Sequence, residues 1–156
     1  MNEIRSFART EEQESIFTKA SSLASDFYTR AAHYDRNAVF PFENFEALKE
    51  AGVIDLTIPK EYGGKGAGLY EFVLLQETIA QGDAPTALSL GWHLGIMMNE
   101  GINRSWSSNI YEKVCRDIVQ HKKLINSAHS ERKTGSPARG GKPETVAKKL
   151  TNGGWL

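Results

Sequence analysis

Apolar residues recur every three or four positions early in the chain. That spacing predicts a helix over 10–33, with Ile16, Phe17, Ala20, Leu23, Ala24, Phe27 and Ala31 on one side and glutamates at its start. Pro41 suits the first turn of a second, shorter helix that carries Phe42, Phe45, Leu48 and Ala51 and closes at Gly52. Over 53–68 both periodicities fail, because Pro59 and the glycines at 63, 64, 66 and 68 interrupt them, so a loop of special backbone shape is expected there. A third helix is predicted over 69–81. Gly82 and Asp83 end it and cap a fourth, which has Pro85 early in its first turn and runs toward Asn99 or Gly101. A fifth, over 107–119, places Ile110, Val114, Cys115 and Ile118 together.

Beyond His121 the texture changes. Leu124 and Ile125 lead into a polar region rich in glycine and proline, and Thr145, Val146, Ala147 and Lys148 then alternate as a strand would. Asn152-Gly153-Gly154 signals a hairpin turn, with Trp155 and Leu156 opening a second strand. A hairpin whose second strand has two residues leaves an unpaired edge, so a truncated chain or fragment is expected. The predicted fold class is mainly α: an N-terminal orthogonal or up-down domain of about five helices over 1–121, then the first strands of a β-barrel-like domain over 122–156.

Composition narrows the function. Nineteen basic and nineteen acidic residues give zero formal charge, which supplies no field for nucleic acid. The basic residues lean toward the C-terminal third, where a phosphate-bearing ligand or an ordinary solvated surface would both account for them. A single cysteine, Cys115, excludes an intrachain disulfide and a multi-thiolate zinc cluster, and its helical neighbours suggest a buried small hydrophobe. No apolar run is long enough to span a bilayer, and the N-terminus lacks the apolar stretch of a secretory signal, so a cytoplasmic protein is expected. His33, His121 and His129 lie in contexts too different to suggest a metal site.

Three ordered motifs carry a family likeness. Residues 42–64, FENFEALKEAGVIDLTIPKEYGG, hold a short helix followed by Ile-Pro-x-Glu-Tyr-Gly-Gly; residues 77–93, ETIAQGDAPTALSLGWH, form a helix junction; residues 126–136, NSAHSERKTGS, open the β segment. In this order they resemble the acyl-CoA dehydrogenases over nearly the whole chain. The likeness implies an FAD-dependent oxidoreductase that dehydrogenates an acyl-CoA thioester between its α and β carbons. It also implies a homo-oligomeric full-length enzyme, with no nucleic acid and no membrane as partner. The family's general base belongs to a C-terminal helical domain, so no catalytic residue is expected in this chain, which should be inactive alone.

The third motif departs from the family, with Ser130-Glu131-Arg132 where Thr-Glu-Pro is usual and Pro137 in place of an acidic residue. By position, the flavin contacts would fall to His129 through its backbone, Ser130 through its hydroxyl, and Ser136, which would also lie near the substrate. On the fourth helix Thr86, Ser89 and His93 share a face at three- and four-residue spacing. The resemblance makes Thr86 and Ser89 substrate-pocket candidates, His93 is taken with them, and packing against neighbouring helices is the plainer alternative. An imidazole at 93 would suit a flavin-dependent monooxygenase of the same fold, or simply a hydrogen-bonded helix histidine. A stand-alone helical interaction module is the remaining alternative. The 58–64 loop is expected to be architectural, with Tyr62 packed over a helix pair.

Overall fold

The computed structural model describes residues 5–127, 130–135, 140 and 142–154. It divides into two compact units, Met1–Ile125 and Asn126–Leu156. The described residues of the first contain five helices: α1 (Glu11–Asn37), α2 (Phe42–Glu50), α3 (Leu69–Ala80), α4 (Ala84–Asn103) and α5 (Ser108–His121). The mainly helical fold and its five helices agree with the expectation.

Local chemistry sets the ends. The Thr10 hydroxyl oxygen accepts the Gln13 N–H at 3.2 Å, and three glutamates in the first turn of α1 favour its dipole. The helix outlasts its apolar stripe through polar residues 34–37 and stops at Ala38, whose φ is 49°. Tyr34, in that extension, donates to Glu43 of α2 at 2.8 Å, a tertiary contact that apolar spacing does not register. Asp83 is the N-cap of α4, accepting the Thr86 N–H at 3.3 Å with Pro85 in the first turn, as the capping pattern predicts.

Helices α1 and α3 pack along each other, α3 packs on α4, α2 rests on α1, and α5 rests on α4. One core cluster joins Phe27, Leu48, Ile54, Leu75, Leu90 and Leu94; a second joins Ile58, Met97, Cys115 and Ile118. Cys115 is fully buried, and burial pushes its thiol up, away from reactivity.

The loop after α2 is not a surface excursion. Residues 53–58 are all buried, and their backbone groups find partners locally: Val53 N–H on Leu48 O, Leu56 N–H on Val53 O, and Gly66 N–H on Ile58 O at 2.8 Å. A short 3-10 turn, Lys60–Tyr62, follows and rests on α5. Gly63 adopts φ 91°, and a Cβ on Gly64 would lie 2.2 Å from the Ile58 carbonyl oxygen, so both glycines are required by backbone geometry. Tyr62 stands edge-on to Tyr111 of α5, with ring centroids 5.8 Å apart. The motif is architectural in this sense.

In the second unit the expected strands are not formed among the described residues. Pairing there includes an isolated bridge between Glu131 and Gly135 and a turn in which Leu150 N–H meets Gly154 O at 2.8 Å. The Glu131 carboxylate takes the N–H groups of Glu144 and Thr145, at 2.6 and 2.8 Å, and a side chain thus occupies donors that a ladder would use. Trp155 and Leu156 lie outside the described residues.

Candidate functional site

Helix α4 carries the chemistry. Thr57 donates its hydroxyl to Leu94 O at 2.8 Å, and the His93 ring meets Ile54 O at 2.8 Å, so the buried loop is tied to the helix by two side chains. His93 is 2% exposed. A carbonyl can only accept, so Nε2 carries the proton and donates to Ile54; Nδ1 is left with a lone pair, which accepts the Ile125 N–H at 3.1 Å. Burial lowers the imidazole's proton affinity, and the Ile54 carbonyl, which accepts equally from a charged ring, offsets part of that. Both ring nitrogens are engaged by backbone.

Thr86 is fully buried at the other end of the same face. Its hydroxyl donates to the Asp83 carboxylate and accepts from Asn44 Nδ2 at 2.9 Å; Asn44 also donates to Asp83 at 3.3 Å. Arg30 Nε donates to Asn44 Oδ1 at 2.6 Å, so α1, α2 and α4 meet in one polar knot inside the core. Ser89 is half-buried and donates to Pro85 O at 2.9 Å. Of the three pocket positions expected on this helix, Thr86 and His93 face inward with their polar atoms engaged, and Ser89 sits at the border.

The outward side of α4 was not anticipated. Leu88, Trp92 and Ile102 fall on one side of the helix, opposite His93 and Met97, and are exposed. Near the C-terminal end, a cleft of about 490 Å³ opens between α4, the 59–68 segment and α5, walled by Leu69, Met98, Ile102 and Tyr111. The sequence signal existed: apolar residues occupy both sides of 84–103, more than one core face needs.

His129 and Ser136 lie outside the described residues. Ser130 is exposed, and its hydroxyl has no hydrogen-bond partner among the described residues. The neighbouring Glu131 is committed to the fold. Bonds from Thr145, Glu144 and Thr134 hold its carboxyl down at about 2. Among the described residues no three metal-ligating side chains gather, and no helix is long and apolar enough to cross a membrane.

These features define a helical domain in which one helix is sealed behind by core and polar contacts and open in front with an apolar face. Residues 10–122 match the family model described as acyl-CoA dehydrogenase, N-terminal domain, and the chain belongs to the acyl-CoA dehydrogenase family. It is similar to a putative acyl-CoA dehydrogenase, YdbM, of Bacillus subtilis, at 41% identity over 149 residues, covering 96% of this chain and 39% of that protein. The mitochondrial isovaleryl-CoA dehydrogenase of Pongo abelii is 30% identical over 130 residues, 81% of this chain and 30% of its own. FMN-bound TdsC from Paenibacillus sp. A11-2 shares the fold with a TM-score of 0.75 at 20% identity, over 90% of this chain and 34% of that one. The chain thus spans about two fifths or less of these relatives.

Proposed function

We propose that the chain is the N-terminal portion of an FAD-dependent oxidoreductase that removes two hydrogens from an acyl-CoA thioester. The observation that carries the reading is the family match over 10–122 together with an α4 whose outward face is apolar and open. That face suits an acyl chain, because it offers hydrocarbon surface without unsatisfied polar groups. Leu88 and Trp92 form the wall, with Ser89 at its border, while Thr86 and His93 hold the helix from behind.

Residues 122–156 supply the start of the flavin-contacting β domain. Ser130, exposed and with a free donor among the described residues, would hydrogen-bond the flavin, alongside His129 backbone and Ser136. Bound FAD supplies the acceptor for hydride from the β carbon, and the α proton goes to a base that we assign to none of this chain's residues. This chain's residues orient the acyl group and exclude water from it. The reading also includes a cytoplasmic, homo-oligomeric whole enzyme.

Protein expressed from the complete reading frame should retain flavin, and its visible absorbance should bleach when an acyl-CoA is added. Reduction only by a separate reductase would replace the dehydrogenase by a flavin-dependent monooxygenase. That alternative leaned on His93, whose two nitrogens are taken up by Ile54 and Ile125. A stable monomer that takes up no flavin would favour the interaction module.

A further inference from the structure

We infer that neutral His93 is a pH-sensitive positioning residue: its imidazole holds the segment by which the chain leaves the helical unit, and lets that segment go when the ring gains a proton. The two ring bonds are chemically unequal. Nε2–H donates to the Ile54 carbonyl, a bond that both protonation states can make. Nδ1 accepts the Ile125 N–H, a bond that needs the lone pair. A proton on Nδ1 sets two N–H groups against each other, so the Ile125 bond is lost while the Ile54 bond persists. The loop stays attached and the exit segment is released.

Other anchors lie upstream, on α5 and at Lys123. Lys122 N–H closes α5 on Ile118 O at 3.0 Å, and Lys123 pairs with Asp117 through Nζ at 3.2 Å, both upstream of Ile125. The Ile125 side chain rests on the second core cluster. Among the described residues its N–H has His93 as partner, so the ring is the last polar fastening before the second unit begins at Asn126.

Most titratable groups on the surrounding elements are engaged elsewhere, although Asp55 Oδ1 is buried without a hydrogen-bond partner among the described residues. Asp55, beside Ile54, lies 3.8 Å from Lys65; Glu100 of α4 accepts from Ser105 and the Trp106 N–H; Asp117 of α5 takes Lys113 and Lys123. Tyr111 and Cys115 of α5 bond each other, and His121 and Lys122 stand exposed at its end. The lowered proton affinity of His93 is due first to burial. Among the described residues no carboxylate bonds the His93 ring, so release follows protonation directly.

The consequence for the cofactor rests on the flavin reading proposed above: Ser130 lies five residues beyond Ile125, so slack at Ile125 reaches the candidate flavin contact. Two measurements separate the clamp from that reading. In ¹⁵N-labelled protein, the Ile125 amide protection factor should fall about tenfold or more as the His93 ring nitrogens titrate, with one shared midpoint. His93→Asn keeps an acceptor near the Nδ1 position and cannot titrate, so its protection should be flat with pH. His93→Gln keeps a donor near Nε2 without that acceptor, so its Ile125 should be unprotected throughout. Protection at Ile125 that ignores the ring's titration overturns the clamp, and this wild-type readout decides even where a variant fails to fold. In protein from the complete reading frame, FAD should bind His93→Gln about tenfold more weakly than wild type, and His93→Asn close to wild type. Equal affinity in all three overturns the link to the cofactor. No FAD binding by the wild type overturns the flavin reading, with the clamp still decided by Ile125.

Discussion

Along α4 the inward residues Leu90, His93, Leu94 and Met97 are buried, whereas Leu88, Trp92 and Ile102 on the other side keep 66%, 56% and 74% of their surface exposed. Composition does not separate the two sides, since both are largely apolar. The inner side is distinguished by polar atoms that have found partners: Thr86 with Asp83 and Asn44, His93 with Ile54 and Ile125. Among the described residues the outer side has hydrocarbon that stays mostly uncovered. A helix apolar all round is ordinarily enclosed. One enclosed on one side only is held rigidly by that side while it offers the other, which is the property a binding wall needs.

The contrast predicts unequal costs. Leu94→Ala opens a cavity in the inner cluster, where the side chain is fully buried, and should destabilise the helical unit by about 2–5 kcal/mol in urea denaturation. Asp83→Ala removes the cap of α4 and leaves Asn44 and Thr86 without their acceptor inside the core. The expected loss is about 1–3 kcal/mol, and Asp83→Asn, which keeps an acceptor oxygen, should recover part of it.

The pH dependence of stability comes next. The native state disfavours protonation of His93, so its folded value lies below the ordinary 6.5, and below 6.5 the unfolded chain binds the proton that the folded chain refuses. The contribution is fully present above 6.5 and is lost as pH falls from there toward the folded value. The slope should reach at most about 1.4 kcal/mol per pH unit, and His93→Asn should flatten it in denaturation curves recorded across the acid range.

Much of the helical unit was legible because helix ends are written locally. Thr10, Asp83 with Pro85, and Gly52 mark boundaries by capping chemistry, and those boundaries hold to within a residue or two. The extension of α1 through Tyr34 was not legible, because it carries no apolar stripe and its contact, Glu43, lies on another helix. The buried course of 53–58 was hidden for a like reason: its apolar residues have no period, and their partners, Leu94 O and His93, are distant in sequence. At the candidate site, spacing correctly placed Thr86 and His93 on one side of α4. It could not tell which side faced inward, since Leu88 and Trp92 are as apolar as Leu90 and Leu94. The β segment was read from alternation at 145–148, a signal blind to the Glu131 carboxylate that claims the Thr145 N–H.

The smallest effect on folding should belong to Trp92. More than half of its surface is open and its helix is secured from the opposite side, so Trp92→Ala should change unfolding free energy by no more than about 0.5 kcal/mol. Its effect on function should be larger than its effect on the fold. If the outer side is the acyl wall, an indole there occupies room that a longer chain would need, and truncation should shift preference toward longer acyl-CoA thioesters. For a short substrate the same change removes contact area, and kcat/KM should fall about tenfold, the equivalent of about 1.4 kcal/mol of lost binding. Leu94→Ala offers the converse, a large loss of stability with chain-length preference unchanged in whatever fraction remains folded. Should Trp92→Ala unfold the protein as readily as Leu94→Ala does, the two sides of α4 would not differ in kind, and the outer side would be core rather than binding surface.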